Sequence, residues 1–335
     1  MSNAPNTAGN ERFNAEAANW DNNPSVQEAT RLAYETLRPL IENLSEKQAT
    51  TGTGVDVLEV GCGTGLLSVR VAPLVREIVA VDTAEGMIEM LKAKTTLPGS
   101  PRNIVPICKL LEDPEDPVLP PSDEKHPTAG RRKFDLALSH LVLHHIPDLR
   151  PFLQMLLGCL KPGGRIALTD FEDFGPEAIK FHPKSKLEGV ERHGIPRQWI
   201  EDLLKEVGFE QVKVWVGWKL DKDVEGWEDD NGSHDGGKKT MQFPFLVCEG
   251  SNPLRLLCFV SWSVAPNSVL VWMSQIIHIG HGTISNRRIV DTTEVCASVL
   301  SIIIRKNPHL HVPQPGQCYA LSWGYEFIWL TPTLY

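Results

Sequence analysis

Three alternating glycines beside an apolar run carry the clearest chemistry in the sequence. Gly61, Gly63 and Gly65 lie between the apolar residues of 55–60 and a second apolar run at 66–71. Glycine lets the backbone pass close to a ligand and adopt positive φ. A helix that begins just beyond the turn offers free N–H groups to the same ligand. The pattern predicts a strand, a turn and a helix that together bind the adenosyl part of a cofactor.

Two acidic residues near the turn indicate which cofactor it binds. The glycines follow the spacing G-x-G-x-G, whereas a dinucleotide fold uses G-x-G-x-x-G to seat a pyrophosphate. Glu59 precedes the turn, and a carboxylate there repels a pyrophosphate but attracts a positively charged ligand. Asp82 ends a second apolar run at 77–82 and can accept hydrogen bonds from both ribose hydroxyls. S-adenosylmethionine (SAM), which carries a sulfonium and an ammonium group, fits this combination.

At these residues the chain resembles the class I SAM-dependent methyltransferases. The matching elements are residues 58–65, Asp82 and residues 160–165, in this order and separation. The resemblance covers about residues 10–250 and is closest to small-molecule methyltransferases of the group that includes quinone-methylating enzymes. It implies an α/β fold: a Rossmann-like, seven-stranded, mostly parallel sheet with an antiparallel C-terminal hairpin and helices on both faces.

The turn, the strand ends and the resemblance together give a candidate cofactor site. Its residues are Glu59, Gly61, Cys62, Gly63, Gly65, Asp82, Thr83, Met87, Leu111, Glu112, Ser139 and His140. We expect Glu59 to hold the ammonium group and Asp82 the ribose, although Asp82 could instead cap the helix that begins near Ala84. Leu111 or Glu112 would meet the adenine edge. Relatives often carry an acidic–small pair there, and this chain has a different sequence at 109–113, so the adenine contact stays open.

Four histidines are candidates for acceptor chemistry. His144 and His145 follow the fourth strand, and either could take a proton from a substrate hydroxyl because histidine titrates near neutral pH. The alternative is a structural imidazole that bonds to the backbone at the mouth of the site. His182 and His193 lie in the irregular segment 171–194, which caps the substrate pocket in the family, and are candidate substrate contacts. Exposed loop histidines are the alternative for that pair.

Strands and helices alternate along the chain, which predicts a parallel sheet with helices on both faces. The expected strands are 55–60, 77–82, 103–109, 134–139 and 164–170, followed by an antiparallel pair at 212–220 and 240–249. Helices are expected over 14–44, with an interruption at 22–24, and at 65–74, 84–95, 149–160 and 195–207. Phe13 and Trp20 would form part of a lid over the cofactor, or else anchor the first helices. A mobile linker is expected at 225–239.

These patterns divide the chain into a disordered N-terminus at 1–10, a methyltransferase domain at 11–250 and an atypical apolar tail of unknown fold at 251–335. The tail holds only five basic and three acidic residues. Its charge-free run at 256–279 is long enough to cross a bilayer. Because that run contains a proline, an asparagine, a glutamine and four serines, we do not expect a membrane span.

Composition restricts the classes of function. The net charge of −9 gives no support for nucleic-acid binding. The seven cysteines are scattered, with no C-x-x-C and no metal-binding spacing, so we expect reduced thiols, a cytoplasmic protein and no metal. The polar first ten residues have no signal-peptide core. The sequence does not predict an oligomeric state.

We therefore expect an enzyme that moves a methyl group from SAM to an oxygen, nitrogen or carbon nucleophile of a small molecule. The main alternative is a non-catalytic SAM-binding or interaction protein. A nicotinamide-dependent oxidoreductase is disfavoured because the G-x-G-x-x-G spacing is missing. A methyltransferase acting on protein or RNA is disfavoured by the acidic domain and by the lack of an Asn-Pro-Pro-Tyr-like element after the fourth strand.

Overall fold

The structure is a computed structural model that describes residues 7–50, 52–126, 128, 130–225, 239–254, 319–323 and 326–330. The predicted linker, except for its first and last residues, and the charge-free run at 256–279 lie outside the described residues. None of the helices in the described part of the chain combines the length and the apolar character that crossing a membrane requires.

Seven strands form one mixed sheet in the described part of the chain, which confirms the predicted fold class. The strands are β1 (Asp56–Val60), β2 (Glu77–Asp82), β3 (Ile104–Cys108), β4 (Phe134–His140), β5 (Leu160–Phe171), β6 (Glu210–Val224) and β7 (Lys239–Ser251). Their order in space is β3-β2-β1-β4-β5-β7-β6. Strands β1 to β5 are parallel, and β7 is antiparallel to both of its neighbours. The carboxyl ends of the parallel strands therefore meet at one edge, where open α/β sheets bind ligands.

Helices pack on both faces of this sheet. The described α-helices are α1 (Thr7–Trp20), α2 (Pro24–Ala49), α3 (Leu66–Val71), α4 (Glu85–Thr96), α5 (Leu149–Cys159) and α6 (Arg197–Val207), with 3₁₀ turns at Ala72–Leu74, Leu143–His145, Pro176–Phe181 and Lys184–Lys186. Successive strand residues point to opposite faces. Val57 thus packs in the same apolar layer as Leu37 of α2, and its neighbour Leu58 packs with Leu153 of α5 on the other face.

The N-terminal helices differ from the prediction at their start. Helix α1 begins at Thr7, so the last four residues of the segment predicted to be disordered are helical, and residues 1–6 lie outside the description. The predicted interruption falls at Asn23, whose Oδ1 accepts the Ser25 N–H at 3.0 Å and caps α2. Pro24 is the first residue of α2, where its missing N–H costs no hydrogen bond.

Residue contacts divide the chain into two compact units, Met1–Pro253 and Leu254–Tyr335. Strand β7 runs past the predicted boundary at 250, and Asn252 donates its backbone N–H to the Gly164 carbonyl at 2.8 Å. Its side chain also donates to the Leu160 carbonyl at 3.0 Å. In the second unit, β8 (Tyr319–Trp323) and β9 (Glu326–Leu330) pair as an antiparallel ribbon.

Candidate functional site

A cavity of about 550 Å³ opens at the carboxyl ends of β1, β2 and β4, within the range usual for small-molecule sites. Most of the predicted cofactor residues line it: Glu59, Gly61, Cys62, Gly63, Asp82, Thr83, Met87, Leu111, Glu112 and His140. Gly65 and Ser139 do not. Gly65 precedes α3 beneath the cavity, and the Ser139 hydroxyl donates to the Val60 carbonyl at 2.8 Å, joining β4 to β1.

The glycine turn connects β1 to α3 and is tied to β2. The backbone N–H groups of Gly61 and Cys62 donate to the Val81 carbonyl at 2.8 and 3.1 Å. Gly61 and Gly63 have φ angles of 75° and 53°, in the left-handed region that favours glycine. A Cβ at Gly61 would overlap the side chain of Val142, whereas a Cβ at Gly63 would meet only the Trp20 indole nitrogen within 4 Å. Gly63 therefore leaves open space in the cavity, as a cofactor cradle requires.

Asp82 joins the glycine turn to the start of α4. One carboxylate oxygen accepts the Gly63 N–H at 2.8 Å, and the other accepts the Ala84 N–H at 2.8 Å. Burial raises the pKa of Asp82, and these backbone donors oppose that change. Each oxygen can still accept a second hydrogen bond, because a carboxylate offers about four acceptor positions. The bond to Gly63 was not foreseen from the sequence.

Glu59 is a buried carboxylate without a cationic partner among the described residues. Glu59 lines the cavity, and its carboxylate accepts a hydrogen bond from the Ser68 hydroxyl of α3. Burial raises its pKa to about 7, and the nearby Asp82 contributes in the same direction. A buried anion that lacks a counter-charge is costly on its own and is stabilised by a positively charged ligand.

Helix α1 contributes two aromatic residues to the lining of the cavity. Phe13 and Trp20 line the cavity, with their rings edge to face and 5.7 Å between centroids. Asn10 accepts a hydrogen bond from the Thr83 hydroxyl at 2.8 Å, which connects α1 to the end of β2. Phe13 and Trp20 also pack against Ala84 and Met87 of the α4 region, so they both line the cavity and anchor α1.

The C-terminal end of α1 is held by residues that the sequence did not single out. Asp21 follows α1, accepts a hydrogen bond from the Thr64 hydroxyl in the glycine turn, and pairs with Lys94 at 2.5 Å. Lys94 also donates to the Thr64 carbonyl at 2.7 Å. Because the three residues are far apart in sequence, no local pattern identifies them.

Three of the candidate histidines meet beside this cavity. His144 and His145 occupy the 3₁₀ turn after β4, and His182 follows the turn Pro176–Phe181. They line a second cavity of about 200 Å³, and His145 lines both cavities. His193 lines neither cavity, and its Nδ1 is buried without a hydrogen-bond partner.

Burial changes the acid–base behaviour expected of these rings. It lowers the pKa of His145 to about 3 and that of His182 to about 2, with His144 adding to both effects. It also lowers the pKa of His140 to about 4. The expectation that His145 titrates near neutral pH is therefore wrong, because an enclosed apolar setting disfavours the charged imidazolium.

Comparison with known proteins agrees with this geometry. The sequence model of a family described as "Methyltransferase domain" matches residues 29–214, and the chain belongs to that family. An uncharacterized methyltransferase of Schizosaccharomyces pombe is 30% identical over 176 residues, which are 49% of this chain and 59% of the relative. This chain thus spans about three fifths of that relative's length.

A second relative carries a similar description. An uncharacterized methyltransferase of Mycobacterium tuberculosis is 36% identical over 151 residues, covering 43% of this chain and 68% of the relative. Among solved structures, the YcgJ protein from Bacillus subtilis has a TM-score of 0.48 at 17% identity and covers 66% of this chain and 99% of its own. The class predicted from the sequence, a class I SAM-dependent methyltransferase, is confirmed by the family match.

Proposed function

We propose that this protein transfers the methyl group of SAM to an oxygen, nitrogen or carbon nucleophile of a small molecule. The observation that carries the proposal is the buried carboxylate of Glu59, which has no cationic partner among the described residues and shares one cavity with Asp82 and the open face of Gly63. Only a ligand that combines a cation with hydroxyl groups satisfies all three features. SAM supplies a methyl group on a positively charged sulfur, ready for in-line displacement.

The residues of the cavity divide the work of holding this cofactor. Glu59 attracts the ammonium group, and the remaining acceptor positions of Asp82 receive the ribose hydroxyls. Met87 and Leu111, both buried, provide apolar surface for the adenine ring. Charge-assisted hydrogen bonds of this kind contribute roughly 1.5–3 kcal/mol each.

In this proposal Phe13 and Trp20 act as a lid that excludes water from the reaction. Phe13 and Trp20 line both cavities, so they bound the space where cofactor and acceptor meet. Because methyl transfer from a sulfonium disperses charge, the protein gains most by aligning the two reactants in a dry site. The ion pair between Asp21 and Lys94 fixes the C-terminal end of α1 and so keeps Phe13 and Trp20 beside this space.

His145 has the position of an acceptor-orienting residue. Its Nδ1 lies 2.7 Å from the Gly189 carbonyl, which can only accept, so Nδ1 carries the proton. The other ring nitrogen then has a lone pair for a hydroxyl or amine of the acceptor. The second cavity adjoining this ring has room for a small molecule, and Phe181 lines it.

A screen of metabolites with methyl-labelled SAM tests the proposal. We expect label in a small organic product, a large loss of transfer in His145→Ala, and full transfer in His126→Ala, whose exposed ring lies outside both cavities. Label found only in macromolecules would contradict the small-molecule assignment. Tight SAM binding without transfer to any acceptor would favour a non-catalytic binding protein instead.

A further inference from the structure

His144, His145 and His182 form a cluster that cofactor binding does not use. One ring nitrogen from each residue lies within 4.8 Å of the corresponding nitrogens of the other two. The ring centroids of His144 lie 4.0 Å from His145 and 5.0 Å from His182. No local sequence pattern indicates this group, because His182 is distant in the chain from the other two histidines and lies in the segment after β5.

Hydrogen bonds fix which nitrogens of the first two rings are free. Nδ1 of His144 lies 2.9 Å from both oxygens of Asp170, and these oxygens also accept the N–H groups of His144 and Phe171 at 3.1 and 2.8 Å. Since Asp170 acts as an acceptor throughout, the proton of the pair belongs on Nδ1 of His144. Nε2 of His144 is buried and has no hydrogen-bond partner among the described residues, so it is the nitrogen of this ring that is available to a ligand.

The other two rings also offer a free nitrogen. Nδ1 of His145 donates to the Gly189 carbonyl, which leaves Nε2 with a lone pair. His182 has a buried Nδ1 without a partner. Imidazole nitrogens gathered at one cavity are typical ligands of a divalent transition metal.

We propose that His144, His145 and His182 bind one divalent transition-metal ion, with zinc the best fit. Neutral imidazoles are preferred zinc ligands, and three protein ligands leave a fourth position open for water or an acceptor. Tetrahedral ligands at the usual zinc–nitrogen distance lie about 3.3 Å apart, so the rings must approach by about 1.5 Å or less. The bonds from His144 to Asp170 and from His145 to a carbonyl are the outer contacts that orient metal-binding histidines.

Three cationic side chains, Arg12, Lys186 and Lys222, also line the second cavity. Arg12 donates to the carbonyls of Lys186 and Glu188, Lys186 pairs with Glu16 at 2.9 Å, and Lys222 donates to the Phe181 carbonyl at 2.6 Å. Their charge weakens binding of a bare dication and favours an anionic fourth ligand. A hydroxyl or thiol bound to the metal ionises more easily than in water. In this role the metal, and not Nε2 of His145, holds the acceptor. The role rests on the proposed function, whereas the metal binding does not.

Metal uptake by the full chain, freed of any affinity tag and treated with chelator, tests the site. We expect one zinc per chain by elemental analysis after dialysis, and a visible absorption band of tetrahedral cobalt when Co²⁺ replaces zinc. His145→Ala and His182→Ala should each weaken uptake at least tenfold, and Asp170→Asn by about 10–100-fold. His193→Ala, a matched loss of a half-buried histidine outside both cavities, should bind like the wild type.

Circular dichroism separates loss of binding from loss of folding, and His182→Asn is the conservative replacement if the alanine variant unfolds. Uptake at blank level in the wild type, or equal uptake in the folded His145 and His182 variants, would overturn the proposal. Thermal stabilisation by inorganic phosphate or acetate, with no response to zinc, would also overturn it and indicate an anion pocket. SAH, the demethylated product of SAM, is titrated in parallel. Its failure to bind while zinc binds would count against the proposed function alone.

Discussion

The Ser68 hydroxyl at the start of α3 donates a hydrogen bond to the Glu59 carboxylate near the end of β1, and both side chains are buried. Ser68 is the one hydrogen-bond donor that the described residues offer to this carboxylate. One donor offsets little of the cost of burying a charge, so burial raises the pKa of Glu59 to about 7. Burial therefore favours the protonated form of Glu59 until a cation binds.

This raised pKa makes the stability of the ligand-free protein depend on pH. Between the unfolded value of 4.5 and about 7, the folded state binds more protons at Glu59 than the unfolded state does. Stability from this group is therefore complete below pH 4.5 and falls as the pH rises through 7, by roughly 3 kcal/mol. Glu59→Gln should remove that fall. Denaturant unfolding from pH 5 to 8 measures it.

The buried histidines act in the opposite direction below pH 6.5, since their pKa values are lowered. The quantity to compare is thus the difference between wild type and Glu59→Gln, which should grow as the pH rises. A difference that stays constant from pH 5 to 8 would show that Glu59 is not held in a costly charged state.

Ligand binding should have the reverse dependence on pH. The ammonium group of SAH is attracted by Glu59 only when that carboxylate is ionised, so SAH affinity should rise between pH 6 and 7.5. Calorimetric titration measures the affinity. Glu59→Gln should bind SAH more weakly at pH 7.5 and with little change over this range. An equal rise in both proteins would assign the pH dependence to another group.

Glycine substitutions distinguish the cradle from ordinary turns. Gly63→Ala should leave the fold intact, with a loss of about 1 kcal/mol from its positive φ, and should weaken SAH binding because the new methyl group enters the cavity. Gly99→Ala is the matched control, since Gly99 also has a positive φ and no atom within 4 Å of the added Cβ. Thermal melts with and without SAH measure both effects. Equal SAH binding by the two variants would show that Gly63 does not contribute to the cofactor site.

The first compact unit should fold on its own. A chain ending after Pro253 keeps the bonds of Asn252 to Gly164 and Leu160, and we expect cooperative unfolding and SAH binding. A chain ending after Gly250 loses these bonds and should be less stable by about 1–3 kcal/mol. Denaturant unfolding compares the two. Failure of the longer fragment to fold would mean that residues beyond 253 complete its core.

The parts that the sequence predicted correctly depend on local pattern. Alternating strands and helices, the stop at Asn23 and the turn at Gly61 to Gly65 each follow from neighbouring residues. The extension of β7 to Ser251 and the helical start at Thr7 were missed, because pairing and packing decide where elements begin and end.

Contacts between residues distant in the chain could not be predicted from local sequence patterns. Three such contacts are the ion pair of Asp21 with Lys94, the hydrogen bond from Gly63 to Asp82 and the approach of His182 to His144. The acidity of His145 could not be predicted either, because its pKa falls to about 3 only when the fold encloses the ring. The sequence indicates that His145 is a base near neutral pH, whereas in the structure it is a neutral ring with a lone pair.

Titration of SAH into wild type, Asp82→Ala and Asp173→Ala by calorimetry is the most direct test of the cofactor site. Asp173 accepts the Gly175 N–H at 3.0 Å, as Asp82 accepts that of Ala84, but it lies outside both cavities. One SAH should bind per chain, at least tenfold more weakly in Asp82→Ala and with unchanged affinity in Asp173→Ala. Equal affinity in all three proteins, or no binding to the wild type, would contradict the placement of the cofactor at Asp82.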